Sequence, residues 1–564
     1  MSEKKYSDVI IVGGVAAGPK TAATLARRDK NLSITLYQKE EVLSYGSCGL
    51  PYFASGDIDN FQQLVSTSYG VIRSPEFFKN SKGFEAIAGA EVIKINKDEK
   101  TVAVKILESG EEFEHEYKYL VLATGSTPTP PPFPVATSDR ISSFTRPGDA
   151  IAFRKMAQAG QVGKAIIVGG GFIGCELAET CGGLWGIETV LIEKENQILP
   201  FALDYEMAVI AQRELARQNI EILNGAMVDK VDLDNDGNPV VFVSGKDGIL
   251  CDYLFLCLGV RPIVSLASEC GLEIGETGGI KVDDYLRTSD ANIYAGGDCV
   301  ESINQITGRP FYIAMGSLAN RHGRVIAENI AGNQMTYPGS LGTFLIKLFD
   351  CNVGSCGITR QVAENCGLNA DYVLGTFPDK PDYYPEGKTF RAKMVYEPGS
   401  HRVLGLQAVG HGDICRRVDS MSALLQHNAT LESVLDFEHG YAPPYSEALD
   451  PLHHLAAMAL AKINGISFVS PVDLSETSSD NRIWLDVREP SEIESEPWEY
   501  AGENAYLNIP LDDLRNRLDE LDKNRKIVIV CKRGPRSYQA AVILKQAGFK
   551  SVNIISGGYE AAVL

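Results

Sequence analysis

The chain has 564 residues, of which 44% are hydrophobic and 22% charged, and its formal net charge is −20. This length predicts several domains of roughly 150 residues each, and the composition excludes a disordered or fibrous protein. The negative charge argues against nonspecific nucleic-acid binding, which requires a basic surface.

The sequence favours a cytoplasmic location without a membrane partner. It opens on "MSEKKYSDVIIVGG" without the apolar segment of a signal peptide, and no apolar run reaches the ~18 residues of a membrane span. Twelve cysteines are too few for a disulfide scaffold of this length. Cys251, Cys257, Cys351 and Cys356 lack zinc-ligand spacing, so they are interpreted as core cysteines and no metal site is predicted.

The first predicted elements are a strand, a glycine turn and a helix in "DVIIVGGVAAGPKTAATLARR", followed by the strand "SITLYQKE". Gly13 permits a tight turn and Gly18 permits close helix packing, while the helix N-terminus offers N–H groups to a pyrophosphate. Two residues depart from the usual fingerprint. Val15 replaces its middle glycine, and Gln38 replaces the acidic residue that binds the ribose.

A second copy of this arrangement, in "KAIIVGGGFIGCELAETCGGLWGIETVLIEKE", has the complete fingerprint: Gly169, Gly171, Gly174 and then Glu193. A carboxylate at Glu193 accepts hydrogen bonds from an adenosine ribose and repels a 2′-phosphate, so it favours NADH over NADPH. The alternative is a glycine turn without a ligand, and a pair of such turns disfavours it.

Two downstream segments complete the predicted cofactor sites. "YLVLATGS" is a strand ending in a small-residue turn, and "NIYAGGDCV" carries Asp298, which in flavoproteins with two dinucleotides binds the flavin ribitol. The predicted dinucleotide-binding residues are Gly13, Gly14, Ala17, Gly18, Gln38, Lys39, Ala123, Thr124, Gly125 and Asp298 for the first site, and Gly169, Gly171, Phe172, Ile173, Gly174, Glu193 and Gly259 for the second site.

The segment "SYGSCGLPY" carries one cysteine, Cys48, and occurs with "ATGS", "NIYAGGD", "DYYP" and "YAPPYS". With these motifs, residues 8–455 resemble the pyridine nucleotide–disulfide oxidoreductases, and within them the single-cysteine coenzyme A-disulfide reductases. The resemblance implies FAD in the first domain, NAD(P)H in the second, a C-terminal dimerisation domain, and Cys48 at the flavin. It also implies a homodimer in which one "DYYP" tyrosine, assigned to Tyr384, and Tyr441 reach the partner's active site. The alternative for both tyrosines is packing at an interface.

The resemblance also implies a site for coenzyme A. Lys20, Thr24 and Arg27 recur at i, i+4 and i+7 and share one helix face, although a solvated face has the same pattern. Ser47 stands where these reductases usually have asparagine, and it is similar to the NADH oxidases and peroxidases, which keep the cysteine as a sulfenic acid. Those enzymes usually carry a histidine in the first glycine turn, and "GGVAAG" has none. The predicted coenzyme A-binding residues are Lys20, Thr24, Arg27, Ser44, Ser47 and Lys82.

From about residue 466, "IWLDVREPSEIE", "NIPLDDL" and "IVIVCKRGPRSYQ" resemble a complete rhodanese domain. Cys531 ends an apolar strand and opens a six-residue loop that closes at Arg536 before a helix. Backbone N–H groups, the helix N-terminus and two arginines favour a thiolate there. The loop length is that of sulfur transferases, whereas related phosphatase-like loops are longer. With Asp486 of the "DVRE" strand also present, we predict an active acceptor of sulfane sulfur.

The predicted fold class is a multidomain α/β and α+β protein with two Rossmann-like domains, an α+β dimerisation domain and an α/β rhodanese domain. The predicted bounds are 1–155 with 283–340 for the FAD domain, 156–282 for the NAD(P)H domain, 341–462 for dimerisation and 467–564 for the rhodanese domain.

The predicted activity is reduction of a persulfide or polysulfide, with coenzyme A persulfide as the favoured substrate. It proceeds through a Cys48–S–S–CoA disulfide and releases sulfide, with a tyrosine hydroxyl as proton donor and Cys531 supplying sulfane sulfur. Three alternatives remain open: a coenzyme A-disulfide reductase, an NADH oxidase or peroxidase, and a sulfur carrier without enzymatic activity.

Overall fold

The computed structural model describes residues 5–245, 247–474, 482–500 and 504–562. The chain forms two compact units: residues up to Lys194 with Asn219–Ser340, and Glu195–Gln218 with the residues from Leu341 onward. None of the described helices has both the length and the apolar character needed to cross a bilayer.

The first unit begins with a mixed sheet. Its seven strands are β1 Lys5–Val12, β2 Ile34–Tyr37, β3 Glu85–Ile87, β4 Ala90–Asn96, β5 Thr101–Ile106, β6 Glu112–Leu122 and β17 Ile293–Ala295. They lie in the order β3-β2-β1-β6-β5-β4, and β17 pairs in parallel with β6. Side chains of β1 alternate between two apolar clusters, with Val9 and Ile11 in one and Ile10 and Val12 in the other. A parallel strand buried on both faces explains the continuous apolar run in the sequence.

The second sheet of this unit is parallel throughout and has the order β11-β10-β9-β15-β8. Its strands are β8 Ile141–Ser142, β9 Lys164–Val168, β10 Glu188–Ile192, β11 Ile220–Leu223 and β15 Tyr253–Leu256. The smaller sheets pair β7 Ser126–Pro128 with β16 Val260–Pro262, β18 Ser302–Ile303 with β19 Pro310–Phe311, and β12 Val228–Leu233 with β13 Pro239–Val243 and β14 Ile249–Leu250. The helices are α1 Ala17–Arg28, α2 Leu50–Ser55, α3 Gln62–Val65, α4 Pro75–Phe77, α5 Pro147–Gln158, α6 Phe172–Gly182, α8 Ser265–Glu269 and α9 Gly316–Ile330.

The second unit contains an antiparallel sheet in the order β20-β21-β24-β23-β22. Its strands are β20 Phe344–Leu348, β21 Cys351–Gly357, β22 Asp371–Pro378, β23 Thr389–Tyr396 and β24 Val403–Gly410. Its helices are α7 Tyr205–Arg217, α10 Arg360–Asn365, α11 Cys415–Gln426, α12 Leu431–Asp436 and α13 Pro451–Ile463.

The segment that carries α7 lies in the second unit, together with the antiparallel sheet. A buried lysine explains this placement. The Lys393 ammonium, 1% exposed, lies 2.7 Å from the Asp204 carboxylate and 2.6 Å from that of Glu206. Because a buried charge requires close partners of opposite charge, these contacts hold α7 on the antiparallel sheet.

The C-terminal part of the second unit is a parallel sheet in the order β25-β29-β28-β26-β27. Its strands are β25 Ser467–Val469, β26 Ile483–Asp486, β27 Ala505–Asn508, β28 Ile527–Val530 and β29 Val552–Ile555, and its helices are α14 Pro490–Ser495, α15 Pro535–Gln546 and α16 Tyr559–Ala562. Side chains of β28 alternate between two cores, with Ile527 and Ile529 in one and Val528 and Val530 in the other.

Of the four cysteines interpreted as core residues, Cys251, Cys351 and Cys356 are buried and Cys257 is partly buried. Burial raises the pKa of each of these thiols, which keeps them protonated and unreactive. In the described ranges, no group of three His, Cys, Asp or Glu side chains is arranged to hold a metal ion.

Candidate active sites

The first glycine turn joins β1 to α1 and requires glycine at two positions. Gly13 has a φ of 111°, and a Cβ there would lie 2.0 Å from the carbonyl oxygen of Ala123. A Cβ on Gly18 would lie 1.9 Å from the carbonyl oxygen of Gly13. The turn is therefore tight, and it leads directly into the N-terminus of α1, where free N–H groups can bind a pyrophosphate.

Gln38 is buried at the end of β2 and contacts this turn. Its side-chain oxygen accepts a hydrogen bond from the Gly14 N–H at 2.5 Å, and its amide nitrogen donates to the Glu40 carboxylate at 2.5 Å. An amide oxygen thus accepts from the turn as a carboxylate would, and Glu40 places a negative charge two residues further along. The neighbouring Lys39 extends to the Glu91 carboxylate, at 2.7 Å.

The second glycine turn, between β9 and α6, has the same construction. Gly169 has a φ of 107°, and a Cβ there would lie 2.2 Å from a carbonyl oxygen at the end of β15. Glu193 is buried at the end of β10, and its carboxylate accepts from the Gly170 N–H at 2.7 Å. A Cβ on Gly171 would meet nothing within 4 Å, so the backbone of such a turn also accommodates Val15 at the matching position of the first turn.

Other residues predicted to bind the cofactors lie beside the two turns. Ala17 is the first residue of α1, and Phe172 and Ile173 open α6. Gly259 follows β15 with a φ of 85°. All of them stand at the carboxyl ends of parallel strands, which is where doubly wound sheets bind their ligands.

The turn after β6 and the turn after β17 meet near the first glycine turn. The Ala123 carbonyl lies against Gly13, the Thr124 hydroxyl donates to the Ile263 carbonyl at 2.7 Å, and Gly125 has a φ of 74°. The Ser126 hydroxyl donates to the Asp298 carboxylate at 3.2 Å, and burial raises the pKa of Asp298. A ribitol hydroxyl donating to this carboxylate would offset its desolvation, so the glycine turn and Asp298 together fit an FAD.

Cys48 is exposed in a short 3-10 turn, Ser47–Gly49, that leads into α2. Its loop is fixed to the first glycine turn, because the Ser44 N–H donates to the Gly14 carbonyl at 2.8 Å. Ser44 itself has a φ of 46°, and its carbonyl accepts from Arg73 at 2.7 Å. On the other side, a Cβ on Gly316, the first residue of α9, would lie 3.8 Å from the Cys48 sulfur. The thiol is thus held between the first glycine turn and the N-terminus of α9.

The surroundings of Cys48 include a tyrosine and a carboxyl that the sequence analysis missed. Burial and the charge of Glu179 raise the pKa of Glu176, on α6, to about 7. Burial, with contributions from Glu176 and the Cys48 thiolate, raises the pKa of Tyr52 to about 12. Glu176 lies in the first half of α6, two residues after Gly174 of the second glycine turn, and a carboxyl so close to that turn was the signal that could have identified it.

The residues predicted to bind coenzyme A lie along α1 and near Cys48. Arg27 is exposed and donates to the buried Thr24 hydroxyl at 3.1 Å. Lys20 packs against α9, because a Cβ on Gly323 would lie 2.9 Å from the Lys20 Cβ. The residue after Lys82 lies beside α1, since a Cβ on Gly83 would lie 3.8 Å from Ala26 on that helix. Three cations therefore border α1, whereas Ser44 and the exposed Ser47 flank the cysteine.

The loop from Cys531 to Arg536, here called the sulfur loop, follows β28 and leads into α15. The Cys531 sulfur is buried and accepts hydrogen bonds from the Gly534 N–H at 3.0 Å and the Ser537 N–H at 3.3 Å. Gly534 has a φ of 128°, which only glycine adopts readily. Backbone N–H groups at the start of a twelve-residue helix therefore face the sulfur and stabilise a thiolate or a bound persulfide.

Both arginines of the sulfur loop are paired with carboxylates, which the sequence analysis did not foresee. Arg536 forms two hydrogen bonds with Glu492, of 2.6 and 2.7 Å, and this pairing lowers the pKa of Glu492 to about 2. Arg533 contacts Asp382 at 2.9 Å and Glu560 at 3.0 Å. Each arginine of the sulfur loop therefore shares its charge with at least one carboxylate, whereas the Gly534 and Ser537 N–H groups donate directly to the Cys531 sulfur.

Asp486 supports the sulfur loop from a distance. It is fully buried, binds the Arg488 guanidinium at 2.7 Å and accepts from the Tyr506 hydroxyl at 2.9 Å. Arg488 in turn lies over the Tyr559 ring, 4.4 Å from its centroid, and the Tyr559 N–H donates to the Cys531 carbonyl at 2.8 Å.

The structure brings Tyr441 near Tyr383, the neighbour of the predicted Tyr384. The nearby Tyr441 hydroxyl raises the pKa of Tyr383, and both side chains are exposed. Tyr384 instead lies under the Lys380 ammonium, 5.6 Å from its ring centroid. Tyr383 is therefore a further candidate functional residue beside the predicted Tyr384.

Comparison with known proteins identifies the class of this chain. Residues 7–310 match the pyridine nucleotide-disulphide oxidoreductases, residues 344–453 match the dimerisation domain of that family, and residues 470–563 match the rhodanese-like domain. The chain therefore belongs to the pyridine nucleotide-disulphide oxidoreductases, whose members use FAD and NAD(P)H. The predicted fold class, family and cofactors are confirmed.

Individual relatives resemble the chain over most of its length. It is 30% identical to the NAD(P)H coenzyme A polysulfide/persulfide reductase of Pyrococcus horikoshii, over 81% of this chain and 99% of the relative. It is 35% identical to a solved NAD-dependent persulfide reductase from A. fulgidus, with a TM-score of 0.92 over 98% of this chain and 99% of that one. A solved CoADR-RHD from Bacillus anthracis is 30% identical, with a TM-score of 0.90 over 99% and 98%.

Proposed function

We propose that this chain is an FAD-dependent reductase that uses NADH to reduce the sulfane sulfur of coenzyme A persulfide and releases sulfide. The state of Cys48 carries the proposal: it is exposed beside the first glycine turn, and all twelve cysteines of the chain are free thiols. A thiol without a disulfide partner in its own chain stores an electron pair by forming a mixed disulfide with its substrate. The persulfide reductases among the relatives act on substrates of this kind.

In the proposed reaction, the Cys48 thiolate attacks the inner sulfur of CoA–S–SH. A Cys48–S–S–CoA disulfide forms and hydrosulfide leaves. FAD held at the first glycine turn would supply, when reduced by NADH, the electron pair needed to break this disulfide, and Cys48 would return to its thiolate form. The departing coenzyme A thiolate takes a proton, and the neighbouring hydroxyls of Tyr383 and Tyr441 are the proposed donors. The sum is NADH + CoA–S–SH → NAD⁺ + CoA–SH + HS⁻.

Cys531 supplies the sulfane sulfur in this proposal. Its thiolate accepts a sulfur atom from a donor persulfide, and the resulting Cys531 persulfide passes that atom to the coenzyme A thiol. The two N–H groups that face the Cys531 sulfur favour both the thiolate and the persulfide anion. The cations along α1, Lys20 and Arg27, are the proposed contacts for the phosphates of coenzyme A.

We further propose that the chain acts as a homodimer, which the match of residues 344–453 to a dimerisation domain supports. In this arrangement the tyrosines of one subunit serve the Cys48 of the other. A cytoplasmic location stays a prediction from the sequence.

NADH oxidation tests the proposal: coenzyme A persulfide, coenzyme A disulfide and inorganic polysulfide are compared as acceptors under anaerobic conditions, oxygen is measured in a separate aerobic assay, and sulfide is quantified. We expect coenzyme A persulfide to give the largest kcat/KM, with one sulfide released per NADH. Faster turnover of coenzyme A disulfide without sulfide would indicate a disulfide reductase. Oxygen as the best acceptor would indicate an oxidase, and either result would refute the proposal.

A further inference from the structure

The sulfur loop is joined by an ion pair to the segment that carries Tyr383. The Arg533 guanidinium lies 2.9 Å from the Asp382 carboxylate and 3.0 Å from that of Glu560. Glu560 belongs to the C-terminal domain, whereas Asp382 directly precedes Tyr383 in the loop after β22. One side chain of the sulfur loop therefore holds a residue next to a proposed proton donor.

A second contact packs the sulfur loop against β22, the strand that precedes Asp382. Gly557 and Gly558 have φ values of 72° and 69°. A Cβ on Gly558 would lie 2.5 Å from the Cys531 carbonyl oxygen, and one on Gly557 would lie 2.9 Å from the Thr376 hydroxyl of β22. The two glycines thus fill the narrow gap between the sulfur loop and β22. Close packing on both sides makes the sulfur loop a rigid support for whatever Arg533 contacts.

The loop after β22, residues 379–388, is closed at its base and held further out by Arg533. At the base, the Asp379 N–H donates to the Lys388 carbonyl at 2.9 Å, and the Lys388 N–H donates to the Asp379 carboxylate at 2.7 Å. Asp382 lies beyond this closure and is 77% exposed, so packing alone does not fix it. The ion pair with Arg533 supplies a constraint on the residue that precedes Tyr383.

We propose that Arg533 is a positioning residue for the reductase reaction: by holding Asp382, it fixes the position of the adjacent Tyr383, whose hydroxyl lies near that of Tyr441. The inference rests on the proposed function, in which these hydroxyls protonate the departing thiolate. It gives the rhodanese domain a second role, because Arg533 then supports the reduction of substrates that never pass through Cys531. The positive charge of Arg533 is thereby used for structure within the active site and not for binding a sulfur donor.

The test uses the FAD-loaded full chain and anaerobic NADH oxidation with free coenzyme A persulfide or coenzyme A disulfide, whichever the wild type reduces faster. We expect Arg533→Gln and Asp382→Asn each to lower kcat about fivefold, the effect of losing one partly exposed ion pair, with KM within about twofold of the wild type. Arg517, which pairs with Glu520 in the same domain, provides the matched control. Arg517→Gln should leave kcat unchanged.

Charge reversal separates positioning from damage to the fold. Arg533→Asp and Asp382→Arg should each lower kcat, and the double variant should recover it to within about twofold of the wild type. Wild-type kcat in Arg533→Gln, or a loss that the double variant does not restore, would overturn the inference. These outcomes compare each variant with the wild type on the same substrate. Failure of the proposed function is distinguished by the wild type alone, which would then reduce coenzyme A disulfide faster than coenzyme A persulfide or reduce neither.

Discussion

Replacing Glu193 with glutamine tests how the second glycine turn selects its cofactor, and the first turn already shows that the change is tolerated. Glu193 accepts a hydrogen bond from the Gly170 N–H at 2.7 Å, and in the first turn Gln38 accepts from the Gly14 N–H at 2.5 Å. Glu193→Gln therefore keeps an acceptor for the turn and removes only the negative charge. Glu193→Ala removes both.

The size of the effect follows from the charge. A hydrogen bond to a charged group contributes about 1.5–3 kcal/mol, and one between neutral groups contributes about 1 kcal/mol. Loss of the charge should weaken the ribose contacts by about 1–1.5 kcal/mol, which raises the KM for NADH about five- to tenfold. Because the repulsion of a 2′-phosphate also disappears, the ratio of kcat/KM for NADH to that for NADPH should fall by more than about tenfold.

The assay is steady-state oxidation of NADH and of NADPH at a fixed concentration of coenzyme A persulfide, with bound FAD measured in each variant. Glu188 stands at the opposite end of β10, exposed and paired with Lys164, so Glu188→Gln is the matched control. It should leave the preference unchanged. An unaltered cofactor preference in Glu193→Gln would refute the role assigned to the Glu193 charge.

Three further predictions concern the other parts of the site. Cys48→Ser should abolish NADH-dependent sulfide release and spare sulfur transfer from thiosulfate. Cys531→Ser should abolish that sulfur transfer and spare sulfide release when free coenzyme A persulfide is the electron acceptor. Anaerobic sulfide release at the wild-type rate by Cys48→Ser would contradict the mechanism. Arg27→Glu should raise the KM for coenzyme A persulfide about tenfold at low salt and less at high salt, without a change for inorganic polysulfide. The reason is that salt screens an exposed charge beyond a Debye length of about 8–10 Å. An equal loss of activity with both substrates would show that Arg27 is not part of the coenzyme A site. Glu176→Gln should stabilise the protein at pH 8 but not at pH 5. The pKa of the Glu176 carboxyl rises from 4.5 to about 7 on folding, so the free energy of unfolding of the wild type falls by on the order of 3 kcal/mol as the pH rises through that interval. Thermal release of bound FAD, measured at both pH values, checks this, and an equal gain at pH 5 and pH 8 would contradict it.

Features set by neighbouring residues were predictable from the sequence. The two glycine turns follow from short spacings, because the steric conflicts of Gly18 with Gly13 and of Gly174 with Gly169 arise within one strand-turn-helix unit. The position of Cys531 at a helix N-terminus follows in the same way from an apolar strand and a loop of fixed length. The fold class was predictable because the period of the apolar residues distinguishes strands from helices over most of the chain.

Features that depend on long-range contacts were not predictable. Tyr383 and Tyr384 are neighbours in a loop without periodicity, so the sequence cannot tell which of the two side chains meets Tyr441. The pairing of Arg536 with Glu492 joins helices α15 and α14, and that of Arg533 with Asp382 joins two domains. Charged residues near a reactive cysteine in the sequence predict a positive electrostatic potential at the sulfur, but only the folded chain shows which of those charges are paired with carboxylates.

The contacts of Lys393 have a consequence for how this protein can be divided or synthesised. A fragment that starts at residue 341 would contain the antiparallel sheet but lack Asp204 and Glu206, leaving a buried ammonium without its counter-charges. Loss of such partners costs about 3–5 kcal/mol, so that fragment should fold poorly. During synthesis on the ribosome, α7 emerges well before Lys393, so Asp204 and Glu206 lack their partner until Lys393 has been made. The second unit therefore cannot fold until the intervening residues 219–340 of the first unit have been synthesised. Co-expressing residues 195–218 should improve the yield of the fragment.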